Sequence, residues 1–247
     1  LYGDTAGYYG TVEQQGRMTL HLHLMLWITN ALTPQEIRER IMDPTSDFQQ
    51  KMVQYLESVH QAEFMGANMA DVYDQLLSDQ QQDKYIDPTL TLPDPPPNQM
   101  HTCDNKHFDD CQGCSTDHGW WAKFYKTVND LVYKSNRHSC STGESGCKYD
   151  KRTNKIMKVC KRRFPRTTRP CTVVDPDTGA LLMKQGEARL NTFTPSLTYL
   201  LRCNTDVTSL LSGTAIKAIT AYVTDYITKT PLKTHMMFSA VKTVFSR

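Results

Sequence analysis

The sequence predicts a mixed α+β fold, and three observations carry that prediction. Residues 7–27 form an apolar, alternating ribbon with a turn at its middle. Residues 33–77 carry helix caps and helical periodicity. After a Cys/His-rich, basic stretch, strand character returns at residues 172–192. A chain of 247 residues can bury a proper core.

The opening ribbon, GYYGTVEQQGRMTLHLHLMLW, reads as two strands joined by a tight turn at Gln15-Gly16-Arg17. Side chains alternate along a strand, so His21 and His23 share one face while Leu20, Leu22 and Leu24 take the other. A turn centred near Gly16 and Arg17 sets Glu13 roughly opposite His21. One carboxylate and two imidazoles with open positions then suit a catalytic divalent cation such as Mg2+ or Mn2+. Taken alone, a His-x-His on an apolar strand is as readily an ordinary packed or surface pair.

Helices follow. Thr33, Pro34 and Glu36 make a capping box with proline at the first helical position, and Asp43-Pro44 ends that helix. A second helix is predicted from Ser46 or Asp47 through Phe48, Met52, Tyr55, Leu56 and Val59, and a third over Ala70–Leu77. His60 has no neighbours that complete a site and is read as packed or solvated. These elements close a first segment, residues 1–78. Residues 79–100, rich in glutamine, aspartate and proline and ending near PDPPP, read as an irregular linker.

Residues 101–171 carry most of the cysteines. Cys103, Cys111, Cys114 and His118 have a spacing able to close a tetrahedral zinc site, with His107 as a possible substitute. Trp120, Trp121 and Phe124 open a helix to about Tyr133 and are read as core. His138, Cys140, Cys147 and Cys160 form a second candidate Zn2+ site, with Cys171 able to replace one ligand and the two clusters able to share a metal. Eight cysteines without a secretory signal fit zinc in a reducing compartment better than disulfides. No run is apolar enough to span a membrane.

Net charge is only +2, so overall charge names no nucleic-acid partner; its distribution does. Between Lys148 and Arg169 the basic residues include Lys155, Lys158, Lys161, Arg162, Arg163 and Arg166, against Asp150 as the lone acid. A one-sided run of this kind suits a phosphate-backbone track whose binding weakens steeply with salt. Residues 172–247 form the last segment. CTVV and ALLM flank the turn DPDTG, Thr194-Pro195 opens a helix through Tyr199 and Leu201, and AYVTDYITK sets Tyr222 and Tyr226 one turn apart if helical. Pro231 stops that helix. By itself the tyrosine pair suits packing better than chemistry.

Several of these pieces together resemble the replication initiator domain of Helitron transposons, of the His-hydrophobe-His (HUH) endonuclease superfamily and most like its fungal members. They are TVEQQGRMTLHLHLMLW, VNDLVYKSNRHSC with CKRRFPR, RLNTFTPSLTYLLRCNTDV and KAITAYVTDYITK, in the family's order across most of the chain. The resemblance implies an HUH-type antiparallel sheet with flanking helices, lacking N-terminal strands, and a zinc-stabilised insertion. It implies cleavage of single-stranded DNA at transposon ends, with Tyr222 and Tyr226 as nucleophiles, Glu13, His21 and His23 on Mg2+ or Mn2+, and residence in the nucleus. Lys229 and Lys233 are further expected backbone contacts. The chain is expected to be a fragment of a longer protein whose helicase domain it lacks, since it carries no phosphate-binding Gly-Lys-Ser or Gly-Lys-Thr loop.

One departure touches the chemistry. The family often has a basic residue where Asp225 stands, and on a helix Asp225 points about 100° away from Tyr226, a poor direction for a base. Two other readings remain open. One is an inactive transposon relic that binds single-stranded DNA through its zinc modules and basic run. The other is an unrelated His-x-His zinc hydrolase, disfavoured because Met25, Leu26 and Trp27, rather than an Asp-His pair, follow the second histidine.

Overall fold

The computed structural model describes residues 2–14, 20–97, 111–139, 147–149, 158–160, 162–211, 216–218 and 220–221. The chain divides into two compact units, Leu1–Asp43 with Ser209–Arg247, and Pro44–Thr208. The class is α+β, and among the described residues each sheet is an antiparallel pair. No helix among the described residues is long and apolar enough to cross a membrane.

The first unit begins with strands β1 (Thr5–Gln14) and β2 (Leu20–Ile28), paired along nearly their whole length. The register joins Tyr8 to Leu26, Val12 to Leu22, Thr11 to His23 and Glu13 to His21, with an irregularity between Thr5 and Gly7. Tyr8, Val12, Leu22, Leu24 and Leu26 are exposed. Helix α1 (Pro34–Ile41) starts on the expected capping box: Glu36 N–H donates to Thr33 Oγ1 at 3.3 Å, and Thr33 N–H donates to the Glu36 carboxylate at 2.8 Å. The Thr33 N–H and the Thr33 hydroxyl, which donates to Glu36 Oε2 at 2.7 Å, together hold the Glu36 carboxyl below its usual range.

In the second unit, α2 (Phe48–Val59) and α3 (Met69–Gln80) precede a long helix, α4 (Gln112–Leu131), which continues as a π-helical turn over Val132–Asn136. α3 starts one residue earlier than predicted, where Asn68 and Asp71 form a second capping box with Asn68 Oδ1 accepting from Ala70 and Asp71 N–H groups at 2.8 and 3.0 Å, and it runs past the predicted Leu77 to Gln80. Short pairs β3 (Cys147–Tyr149) with β4 (Lys158–Cys160), and β5 (Val173–Val174) with β6 (Leu181–Leu182), follow, then α5 (Pro195–Leu201). The second of these pairs is the hairpin that DPDTG predicts: Asp175 Oδ1 accepts from the Asp177 and Thr178 N–H groups.

The core is built on α4. Phe124, Val128 and Val132 recur at helical spacing and meet Phe64, Val72, Leu76, Leu190, Phe193 and Tyr199. Trp120 stacks on Phe124, and Phe124 lies 4.8 Å from the Tyr199 ring, so these two belong to the core as expected, whereas Trp121 is exposed. The buried Asn129 replaces a missing backbone partner, accepting from Met65 N–H at 2.8 Å and donating to Met65 C=O at 3.0 Å. Asn129→Ala leaves both Met65 groups without that partner and is expected to cost about 1–3 kcal/mol, read as a shift in the urea midpoint at unchanged slope.

The stretch read as a linker is partly laid on this core. A 3-10 turn at Pro88–Leu90 buries Pro88, and the Tyr199 hydroxyl donates to Asp94 C=O at 3.1 Å. Lys134 binds Asp87 and Asp130 at 2.9 and 2.7 Å and also Tyr85, which ties residues 85–87 to the π turn. These hydrogen bonds to carboxylates hold the Lys134 ammonium charged, against the cost of its burial.

Candidate metal and nucleic-acid sites

The β1/β2 register decides what the histidine ribbon can present. Directly opposed residues of an antiparallel pair lie on one face, and residues two apart on a strand share that face. Glu13 faces His21 across the ribbon, and His23 follows two residues on, opposite Thr11. The backbone therefore aligns the three expected Mg2+ or Mn2+ ligands on one side of one hairpin. Tyr222, Tyr226, Lys229 and Lys233 lie outside the described residues. The described parts of the C-terminal stretch, 209–211, 216–218 and 220–221, fall in the same compact unit as the hairpin.

A second arrangement forms in the larger unit. His138 leaves the π turn, and its Nε2 lies 3.1 Å from Cys160 Sγ, both residues being buried. That is direct hydrogen-bond distance, about 0.5 Å shorter than the about 3.6 Å expected between a nitrogen and a sulfur on one tetrahedral zinc. Cys147 pairs with Cys160 across β3/β4, so a third ligand of the expected set is opposite the second. The His138 ring stacks on Phe164 at 4.4 Å. Burial, then the charges of Arg162, Arg189 and Arg166, push this imidazole below its ordinary pKa, toward the neutral form that ligates metals. Cys140, the fourth expected ligand, lies outside the described residues.

The other zinc set is less convergent. α4 begins at Gln112, ahead of the start expected at Trp120, so Cys111 is its N-cap and Cys114 and His118 are helical. Cys114 is buried and His118 exposed, while Cys103 lies outside the described residues. Among the described residues, no three His, Cys, Asp or Glu side chains form a metal-sized group. Both expected zinc sets have a member beyond that survey.

Basic residues crowd around the His138–Cys160 pair. Arg162 and Arg163 are exposed; Arg166 is half-buried, lies over the Phe164 ring at 4.7 Å and donates to Asn191 Oδ1 at 2.8 Å. Lys158 pairs with Tyr149 through the strand register, and Lys161 lies outside the described residues. Arg189 joins this group because Arg166 N–H donates to Ala188 C=O at 2.7 Å and His138 N–H donates to Arg189 C=O at 2.8 Å. Sequence spacing gives no sign of it. No family model, curated protein or solved structure matches the chain.

Several polar residues of RLNTFTPSLTYLLRCNTDV serve the fold. Buried Asn136 donates to Thr205 C=O, Thr192 Oγ1 donates to Val207 C=O at 2.8 Å, and the Thr198 and Thr205 hydroxyls share a bond. Arg202 adopts φ 55° as the C-cap of α5 and lies over the Tyr199 ring at 4.4 Å. Its guanidinium thus covers core rather than standing free for a phosphate. His60 is buried with Nδ1 3.2 Å from Leu56 C=O, the packed role expected of it.

Proposed function

We propose that this chain nicks and joins single-stranded DNA in the manner of a Helitron replication initiator, using Tyr222 and Tyr226 as nucleophiles and Glu13, His21 and His23 to hold Mg2+ or Mn2+. The supporting observation is the β1/β2 register, which pairs Glu13 with His21 along the backbone and leaves His23 two residues on. Placement of residues 209–221 in the hairpin's own compact unit agrees with it. The bound cation would supply positive charge to offset the negative charge developing on the oxygens of the scissile phosphate.

In the nicking step a phenolic oxygen attacks phosphorus and the bond to the 3′ oxygen breaks. The 5′ phosphate becomes esterified to tyrosine, and the proton ends on the released 3′-hydroxyl. Joining reverses the step with a second 3′-hydroxyl. A free phenol has a pKa near ~10, so the nucleophile depends on its surroundings for activation. Two tyrosines permit a second cleavage while the first covalent link persists, which suits rolling-circle strand transfer. A helicase domain elsewhere in the full-length protein, nuclear residence and structural zinc in the His138 cluster belong to the same proposal.

The test is a single-stranded oligonucleotide incubated with the chain and Mn2+. A denaturant-resistant protein–DNA adduct is expected, lost in the Tyr222→Phe/Tyr226→Phe double variant. Binding without an adduct would replace this proposal with the inactive, DNA-binding relic.

A further inference from the structure

Arg189 lies outside the basic run of the sequence, and the fold brings it there. Residues 185–190 run beside residues 166–169, with Arg169 and Gln185 exchanging two backbone bonds at 2.9 and 3.0 Å and Arg166 N–H reaching Ala188 C=O. On the other side His138 N–H holds Arg189 C=O at 2.8 Å. Arg189 is thereby fixed beside the His138–Phe164 stack that Arg166 covers, and Arg162 follows Cys160 by two residues on the same site.

The guanidiniums are not equivalent. Arg166 is engaged by Asn191 and by the ring of Phe164, and its charge acts on Asp206. Arg162 and Arg189 are exposed, and among the described residues no carboxylate forms an ion pair with either. Two exposed guanidiniums, one of them on a segment held by backbone bonds from both sides, suit a polyanion, because less backbone ordering remains to be done on binding.

We propose that Arg189 and Arg162 form a phosphate clamp for the backbone of single-stranded DNA on the larger unit, separate from the nicking residues and organised by the His138–Cys160 pair. The choice of single-stranded DNA rests on the function proposed above; the clamp itself rests on the placement of Arg189. Arg166 is a positioning residue within it.

The experiment measures binding of the full chain to a fluorescein-labelled oligothymidylate by anisotropy across a salt series, alongside zinc content. Removing one phosphate contact lowers the slope of log affinity against log salt by about 0.7, which at about 0.1 M salt is roughly fivefold weaker binding. Arg189→Gln and Arg162→Gln should each show this, and Arg189→Lys should restore the slope because the point charge survives. An unchanged slope in Arg189→Gln, with the wild type still binding, overturns the clamp and leaves DNA binding intact. No binding by the wild type overturns the functional proposal as well. Loss of zinc in Arg189→Gln would mean that the guanidinium serves the thiolates instead, and tighter binding of an equal-length duplex would remove the single-strand assignment.

Discussion

Replacing Phe193 by alanine is expected to destabilise the larger unit by about 3–5 kcal/mol, the largest effect of any single substitution in its core. Phe193 is fully buried and belongs to the cluster that joins α3, α4 and α5. Its backbone is also committed: Phe193 and Gln61 exchange two hydrogen bonds, each 2.8 Å. The backbone therefore cannot readily move inward to fill the space the ring vacates, and cavity cost adds to lost transfer energy. Neighbouring Thr194 reinforces the point by donating its hydroxyl to Val59 C=O. Urea unfolding followed by the fluorescence of Trp120 and Trp121, in a Trp27→Phe background, reports on this unit alone. A loss below about 1 kcal/mol would show that the cluster repacks, contrary to the closely determined core described here.

Elements whose signals are local were legible. The box of Thr33 and Glu36 with Pro34 gives α1, Thr194-Pro195 gives α5, and the turn chemistry of DPDTG gives the β5/β6 hairpin. The opposition of Glu13 and His21 is read by counting outward from the turn signal Gln15-Gly16-Arg17 in the sequence, although the face carrying Leu22, Leu24 and Leu26 is exposed. The start of α4 was not legible. Its first turns carry Gly113 and Gly119 among small polar residues, a poor helix sequence, and the burial of Cys114 outweighs that local preference. The docking of residues 85–94 was hidden for a related reason. Their proline and aspartate content describes a solvated linker, while the bonds from Lys134 and Tyr199 that hold them come from residues 47 to 105 positions away in sequence. The same holds for Arg189, whose neighbours are supplied by backbone pairing with segments that carry no complementary sequence pattern.

His21→Ala and His23→Ala are each expected to lower single-strand nicking by about 10² to 10³-fold while leaving DNA affinity within about twofold. Both effects follow from where the residues sit. In the proposed site the imidazoles act on charge that develops only as the bond to phosphorus breaks, so their loss falls on the chemical step. The basic groups around His138 that are proposed to carry backbone binding belong to the other compact unit. Thr11 gives the control: it pairs with His23 in the same register but offers no strong ligand, and Thr11→Val keeps a β-branched side chain there. That variant should retain nicking to within about threefold, since losses beyond that range for metal ligands come from the ligand and not from ribbon geometry. Single-turnover nicking under saturating Mn2+, with adduct formation as the readout, separates the outcomes. Equal loss in all three variants would assign the histidines to strand packing, and a loss of affinity matching the loss of rate would move them from catalysis to DNA binding. Recovery of His21→Ala at higher Mn2+ would identify the defect as metal affinity, the result the Glu13, His21 and His23 alignment leads us to expect.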